Sequence, residues 1–273
     1  MDQRIRTAFE SLRHAHRKAL IPFVMGADPD VRTTAGLIRA LADAGADLIE
    51  VGIPFSDPVA DGPIIQRASA RALKRGATPP KILDMIRRVS REVSTPIVLL
   101  SYWNPIVQFG NGRAAGADPR PFVEAAVRAG VAGVIVPDLP PEEAEGFCDA
   151  AHRGGLATIF LASPTSSPAR LRIIARRSQG FVYYVSLTGT TGVRSQLASE
   201  LWHRVRQLKL ITTKPICVGF GISTPAQAAA VAKIADGVIV GSALIRAIEP
   251  YVGNPRTMAA AAGKFLRGFR AVM

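Results

Sequence analysis

The stretch Leu48–Gly62, LIEVGIPFSDPVADG, runs from an apolar segment into a loop punctuated by Pro54 and Pro58. Leu48 to Gly52 is short, apolar and preceded by a helix-like segment, so it reads as a buried strand. Pro54, Ser56, Asp57 and Pro58 cannot continue it. Glu50 then sits near a strand's exit and Asp61 at the end of the following loop, a spacing that suggests an acid/base pair. Plain readings compete. Ser56 and Asp57 before prolines are ordinary turn formers, Asp61-Gly62 is a common turn pair, and a lone glutamate after a strand is often solvated. Glu50 resists the plain reading, because it is the only acid from Leu48 to Phe55 and its burial without a partner would be costly. A carboxyl group in an apolar wall also has a raised proton affinity, which suits a general acid.

Runs of the same kind recur with helical patterns between them, the mark of repeated strand-helix units and a parallel sheet. Strands are expected at Leu20 to Met25, Leu48 to Gly52, Pro96 to Tyr102, Ala132 to Val136, Ala157 to Leu161, Phe181 to Ser186, Ile216 to Phe220 and Gly237 to Val240. Their Ile, Val and Leu content without polar alternation fits strands covered on both sides. Helices are expected at Thr33 to Ala44, Pro80 to Arg91, Pro121 to Ala129, Pro141 to Arg153, Pro168 to Arg177, Ser199 to Leu208, Pro225 to Ile234 and Met258 to Arg270, several with proline in the first turn. Eight such units in about 250 residues make an α/β (β/α)₈ TIM barrel, with the active site where strand C-termini meet the following loops. Glu50 and Asp61 fall on that face. A doubly wound open sheet is the competing architecture, but no GxGxxG follows the first strand and nothing marks a switch point.

The 273 residues carry no low-complexity stretch, and one barrel domain over residues 1–273, with an extra N-terminal helix, is expected. No apolar run approaches the roughly 20 residues of a membrane span. The N-terminus, MDQRIRTAFESLRHAHRKAL, is a charged amphipathic pattern without a signal peptide's apolar core, so a cytoplasmic location is expected. Cys148 and Cys217 read as buried thiols rather than a disulfide. The formal charge of +13 would by itself suggest nucleic acid. The basic residues are scattered over many helical segments without interleaved aromatics, however, and read mostly as solvated faces, with a secondary benefit in attracting an anionic substrate.

After the seventh expected strand comes Gly219-Phe220-Gly221-Ile222-Ser223, and after the eighth Gly241-Ser242. Barrels often hold phosphate in this quarter: glycines let backbone N–H groups approach an oxyanion and helix N-termini add a favourable dipole. Gly-rich strand ends are also plain turns. Loop six, Leu187 to Arg194, is polar and glycine-bearing, which suits a lid or an ordinary surface loop. Of the neighbours Tyr183 and Tyr184, one ring should face the barrel interior and the other the helices. No lysine falls in an expected strand, which argues against a Schiff-base or pyridoxal phosphate enzyme. The four histidines lie in helical segments without ligand spacing, so no metal and no cofactor are expected. A site that breaks a carbon-carbon bond with these groups needs a substrate that supplies its own electron sink.

The order glutamate, glycine, Pro-Phe-Ser-Asp-Pro and Ala-Asp-Gly closely resembles the signature of the tryptophan synthase alpha subunit family, which cleaves indole-3-glycerol phosphate. Further matching stretches are Leu20 to Phe23 with Asp28 to Asp30, Tyr102 to Ile106, Ile135 to Glu143, Ser163 to Thr165, Tyr183 through Gly192, Gly219 to Ser223 and Gly241-Ser242. The resemblance implies that Glu50 protonates indole C3 and takes the glycerol hydroxyl proton, that Asp61 accepts from the indole nitrogen, and that Tyr183 is the inward tyrosine, counted with them as catalytic. It implies a pocket lined by Phe23, Leu100, Tyr102, Ile135, Leu161, Thr191, Phe220 and Ile239, with phosphate held by Gly192, Gly221, Gly241 and Ser242. Plain barrel core is the competing reading of the apolar ones. It also implies a pyridoxal-phosphate beta subunit as partner, in an α₂β₂ assembly. Two departures stand out: Met25-Gly26-Ala27 replaces the family's usual Thr-Ala-Gly, and Gly110 to Pro121 is longer than the usual third connection. Rival readings are a free-standing lyase, another phosphate-binding barrel such as an isomerase, and a non-catalytic phosphate-binding partner.

Overall fold

The computed structural model describes residues 3–110, 118–185, 194–219 and 221–273. Its strands are β1 (Ala19–Met25), β2 (Ile49–Gly52), β3 (Ile97–Leu100), β4 (Val131–Ile135), β5 (Ala157–Ile159), β6 (Leu161–Ala162), β7 (Val182–Val185), β8 (Ile216–Gly219) and β9 (Gly237–Val240). The helices are α1 (Gln3–His14), α2 (Val31–Asp43), α3 (Pro63–Lys74), α4 (Pro79–Val89), α5 (Trp103–Val107), α6 (Arg120–Arg128), α7 (Glu145–Gly154), α8 (Pro168–Arg177), α9 (Arg194–Ile211), α10 (Pro225–Ala232), α11 (Ser242–Ile248) and α12 (Pro255–Arg270). Every strand pairing is parallel, in the order β5-β4-β3-β2-β1-β9-β8-β7-β6. The two ends of that order are successive pieces of one expected strand, so the sheet curls round until Phe160 alone separates its edges. Phe160 interrupts the ladder because its N–H donates to the Ser178 hydroxyl at 3.2 Å instead of to a neighbouring strand. Its carbonyl still accepts from Tyr183 N–H at 3.1 Å, which draws β7 in and leaves a TIM barrel of eight staves.

Alternation sorts the strand side chains into two layers. Ala19, Ile21, Leu48, Val98, Ile135, Ile159, Tyr183, Cys217 and Ile239 fill the interior, while Leu20, Val24, Ile49, Val51, Leu99, Phe160, Tyr184 and Val218 pack outward against the helices. Both faces are therefore dry, as the unbroken apolar runs require. Helix α1 closes the N-terminal end of the barrel: Ile5, Phe9 and Leu12 join the interior cluster, and Phe9 meets Phe181 at a ring separation of 5.9 Å. Arg4 fastens the plug by donating to the carbonyls of Gly130 and Val131 at 2.8 and 3.1 Å. Among the described residues no helix is long and apolar enough to cross a membrane.

Element boundaries differ from expectation in two informative places. Helix α3 is additional. Its N-cap is Gly62, which offers no side chain to bond the first N–H groups, so the start signal is confined to Pro63 and the spacing of Ile64, Ile65, Ala68 and Ala72. The helix expected from Pro141 begins at Glu145, because a separate turn, Glu143 N–H to Pro140 O at 3.0 Å, takes up the residues before it. The longer third connection and loop six lie largely outside the described residues.

Ile5 is fully buried against the barrel floor. Ile5→Ala is expected to cost about 2–5 kcal/mol by the loss of transfer energy and the cavity left behind. A urea midpoint unchanged from that of the parent chain would show that α1 does not plug the barrel.

Candidate active site

Glu50 lies in β2 with Phe23 of β1 on one side and Val98 of β3 on the other. Alternation from Leu48, an interior residue, sends its side chain inward too, at the C-terminal rim of the barrel. It is 2% exposed, and its Oε2 has no hydrogen-bond partner among the described residues. Burial therefore disfavours the charged form and, with a smaller push from the charge of Asp61, raises its pKa to about 8. Asp61 hangs from the loop before α3 and is half-buried. Desolvation lifts its pKa to about 6, against the opposing effect of a hydrogen bond from Tyr102. Tyr183 stands beside them in the interior, and burial raises its phenol well above the ordinary value, followed in effect by the charge of Glu50.

These three groups open on a cavity of ≈ 200 Å³. Phe23, Leu100, Leu161 and Ile239 line its apolar part, and Gly221, Gly241 and Ser242 line the end towards β8 and β9. Ser242 begins α11, whose first N–H groups have no carbonyl partner within the helix, while Gly221 holds φ 77°, a left-handed value that suits glycine. Gly219 is also required to be small, since a Cβ there would stand 2.5 Å from the Tyr183 hydroxyl.

Two of the expected pocket residues stand off the cavity wall. Ile135 belongs to the packed interior. The Tyr102 hydroxyl accepts from Ala60 N–H at 3.0 Å and bonds the Asp61 carboxyl, so it pins the acid's loop from behind. Thr191, Gly192 and Phe220 lie outside the described residues. The cavity also has walls that sequence reasoning passed over, chiefly Ile64 and Ile65 of α3, with Pro137 and Ile222. The i, i+4 repeat after Pro63 was the signal that could have found the first two.

Behind this wall, Phe23, Met25, Ala68 and Ile245 form a small apolar cluster that joins β1, α3 and α11. Arg71 of α3 locks its far side. Its guanidinium grips the buried Asp28 carboxylate at 2.9 and 2.8 Å and reaches Glu249, just past α11, at 2.6 Å. The loop after β1, the helix after the Asp61 loop and the helix at the glycine end are thereby fixed to one cation. The Met25-Gly26-Ala27 departure sits in the first of these loops. Ala27 holds φ 61°, where the usual order would place glycine, and a Cβ on Gly26 would come 2.8 Å from Gly52 O.

Comparison with known proteins follows the same lines. The family model for the tryptophan synthase alpha chain matches residues 9–272. A tryptophan synthase alpha chain of Geotalea daltonii is 50% identical over 251 residues, covering 92% of each chain. The crystal structure of tryptophan synthase subunit alpha from Legionella pneumophila superposes with a TM-score of 0.89 at 40% identity, covering 100% of this chain and 98% of the other. A chain from a structural study of mutual activation in the tryptophan synthase α₂β₂ complex of Pyrococcus furiosus gives 0.83 at 38% identity, covering 93% and 98%.

The buried acid has a stability consequence. Glu50 has an ordinary value of 4.5 and about 8 in the fold, so the native state holds its proton more tightly than the unfolded chain. The stability it contributes is complete below 4.5 and is lost as pH rises through 8. Glu50→Gln removes this dependence. Its urea-unfolding free energy should gain on the parent by a few kcal/mol between pH 5 and pH 8.5, at roughly 1.4 kcal/mol for each tenfold difference in proton affinity between the folded and unfolded chain; a difference that is flat with pH would contradict the burial.

Proposed function

The chain belongs to the tryptophan synthase alpha chain family, a carbon-carbon lyase of tryptophan biosynthesis that cleaves indole-3-glycerol phosphate to indole and glyceraldehyde 3-phosphate, and we propose that Glu50 and Asp61 divide its proton transfers. The observation that carries this assignment is the pair of carboxyl groups at one cavity whose proton affinities are pushed apart, to about 8 and about 6. At neutral pH Glu50 is then the acid and Asp61 the charged acceptor, a division set by environment rather than by residue type.

Glu50 delivers its proton to indole C3, and Asp61 accepts from the ring N–H, where the resulting positive charge collects. The glycerol hydroxyl next to C3 then gives its proton to the Glu50 carboxylate. As that oxygen becomes the aldehyde carbonyl, the bond to C3 breaks and its electron pair returns to the ring. Glu50 ends the cycle protonated, as it began. The indole serves as its own electron sink, so the step draws only on positioned carboxyl groups and a dry pocket. Tyr183, beside Glu50, helps to orient the acid. Phe23, Leu100, Leu161 and Ile239 would flank the indole ring, with Ile64 and Ile65 from α3. Gly221, Gly241 and Ser242 would seat the phosphate, together with Gly192; Thr191 and Phe220 complete the proposed pocket. The enzyme works in the cytoplasm, with a tryptophan synthase beta subunit receiving the indole in an α₂β₂ assembly.

Indole release by the pure chain tests the assignment. Glu50→Gln and Asp61→Asn should each lower the rate about 10²- to 10⁴-fold, the usual worth of a positioned acid or base, with unfolding still cooperative. Full turnover in either variant would remove that residue from the mechanism. Added tryptophan synthase beta subunit should shift the chain to a heavier species in gel filtration and raise indole production; no change in either would favour a free-standing lyase.

A further inference from the structure

At the end of the barrel opposite the candidate active site, where α1 turns into β1, lies a second cavity of ≈ 360 Å³. It falls at the low end of the roughly 300–1,000 Å³ of small-molecule pockets. Phe9, Leu12 and Pro215 give it an apolar floor, and Arg13, His16, Arg17 and Lys18 crowd its rim with Asp236. The sharp end of α1 brings these basic residues together: Arg17 N–H returns to Leu12 O at 2.8 Å, and His16 holds φ 54° to make the turn.

Charge around this hollow does not balance. Asp236 is shared between Lys209 at 3.0 Å and Lys18 at 3.8 Å, and its other oxygen accepts from Ile216 N–H at 3.0 Å. Asp47, which Arg17 approaches at 3.5 Å, is already held by Arg270 at 2.7 Å. Among the groups that line the hollow, Arg13, Arg17 and Lys18 face the single carboxylate of Asp236, and neither the Arg13 guanidinium nor the His16 ring has a hydrogen-bond or ion-pair partner among the described residues. Like charges gathered in a concave site raise one another's energy and focus a field that an anion relieves. The chain's +13 excess, elsewhere spread over helix faces, is here concentrated over an apolar floor.

We propose that this hollow binds a compact phosphate monoester or pyrophosphate, with the oxyanion held by Arg13, His16, Arg17 and Lys18 and any apolar portion laid on Phe9 and Pro215. Guanidinium forks match phosphate oxygens in pairs, which favours this class over a single carboxylate. The site is separate from the lyase reaction and does not depend on the roles given to Glu50 and Asp61.

Calorimetric titration of the full chain with pyrophosphate, against sodium chloride matched for ionic strength, is the test. The phosphate seat at the mouth should contribute one class of binding and the hollow a second. Arg13→Ala with His16→Asn, which keeps a residue tolerant of left-handed backbone, should weaken the second class about tenfold through the lost charge-assisted contacts. Indole release from indole-3-glycerol phosphate should stay within about twofold, because these residues lie outside the lyase site and surface changes of this kind are usually mild. Arg13→Glu should abolish the second class. Pyrophosphate binding that Arg13→Glu leaves unmoved, whether it falls in one class or two, would overturn the proposal, as would equal displacement by matched sodium chloride.

Discussion

A closed barrel has one interior column, and alternation along eight staves forces every second side chain into it. That constraint governs this molecule. Almost all the inward residues are hydrocarbon, and the column is filled from below by Ile5, Phe9 and Leu12. Near the top, β2 sends in a carboxyl group where its neighbours send in Phe23 and Val98. The proton affinity of Glu50 follows from this placement more than from any partner, since desolvation is the larger of its two causes. Asp61 differs because it arrives on a loop, half-solvated and tied to Tyr102, so its proton is held less tightly. Backbone geometry thus separates two chemically similar acids.

The repeating pattern was legible because a doubly covered strand is written as an unbroken Ile, Val and Leu run, and Gly237 to Val240 is found as expected. The position of Glu50 near a strand's exit followed from the run's end, where Pro54 to Pro58 cannot continue it. What escaped depended on contacts between distant residues. The break at Phe160 arises from a hydroxyl at Ser178, eighteen positions away. Tyr102 reads as an aromatic pocket wall, yet its hydroxyl faces the backbone of Ala60. Helix α3 was hidden by its glycine cap, and with it went Ile64, Ile65 and Arg71, since a segment read as loop offers no face to assign.

Arg71 links the lost helix to the rest of the site. Removing a guanidinium from a carboxylate as buried as Asp28 leaves an uncompensated charge, which makes such a residue hard to replace even though it touches no part of the cavity. Loop one is held in the same grip, and this offers a physical reason why Ala27 is carried at a left-handed angle that glycine would adopt at lower cost.

The plug formed by α1 bears on how the acid is supplied. Beneath Glu50 the column runs through Leu48 and Val98 to Phe9 and Ile5, a hydrocarbon path with little to relay hydrogen ions from the base. On the proposed chemistry the glutamate recovers from the departing alcohol the hydrogen it lends to the ring. On that proposal, with its lower side packed with hydrocarbon, the glutamate meets bulk water only by way of the mouth.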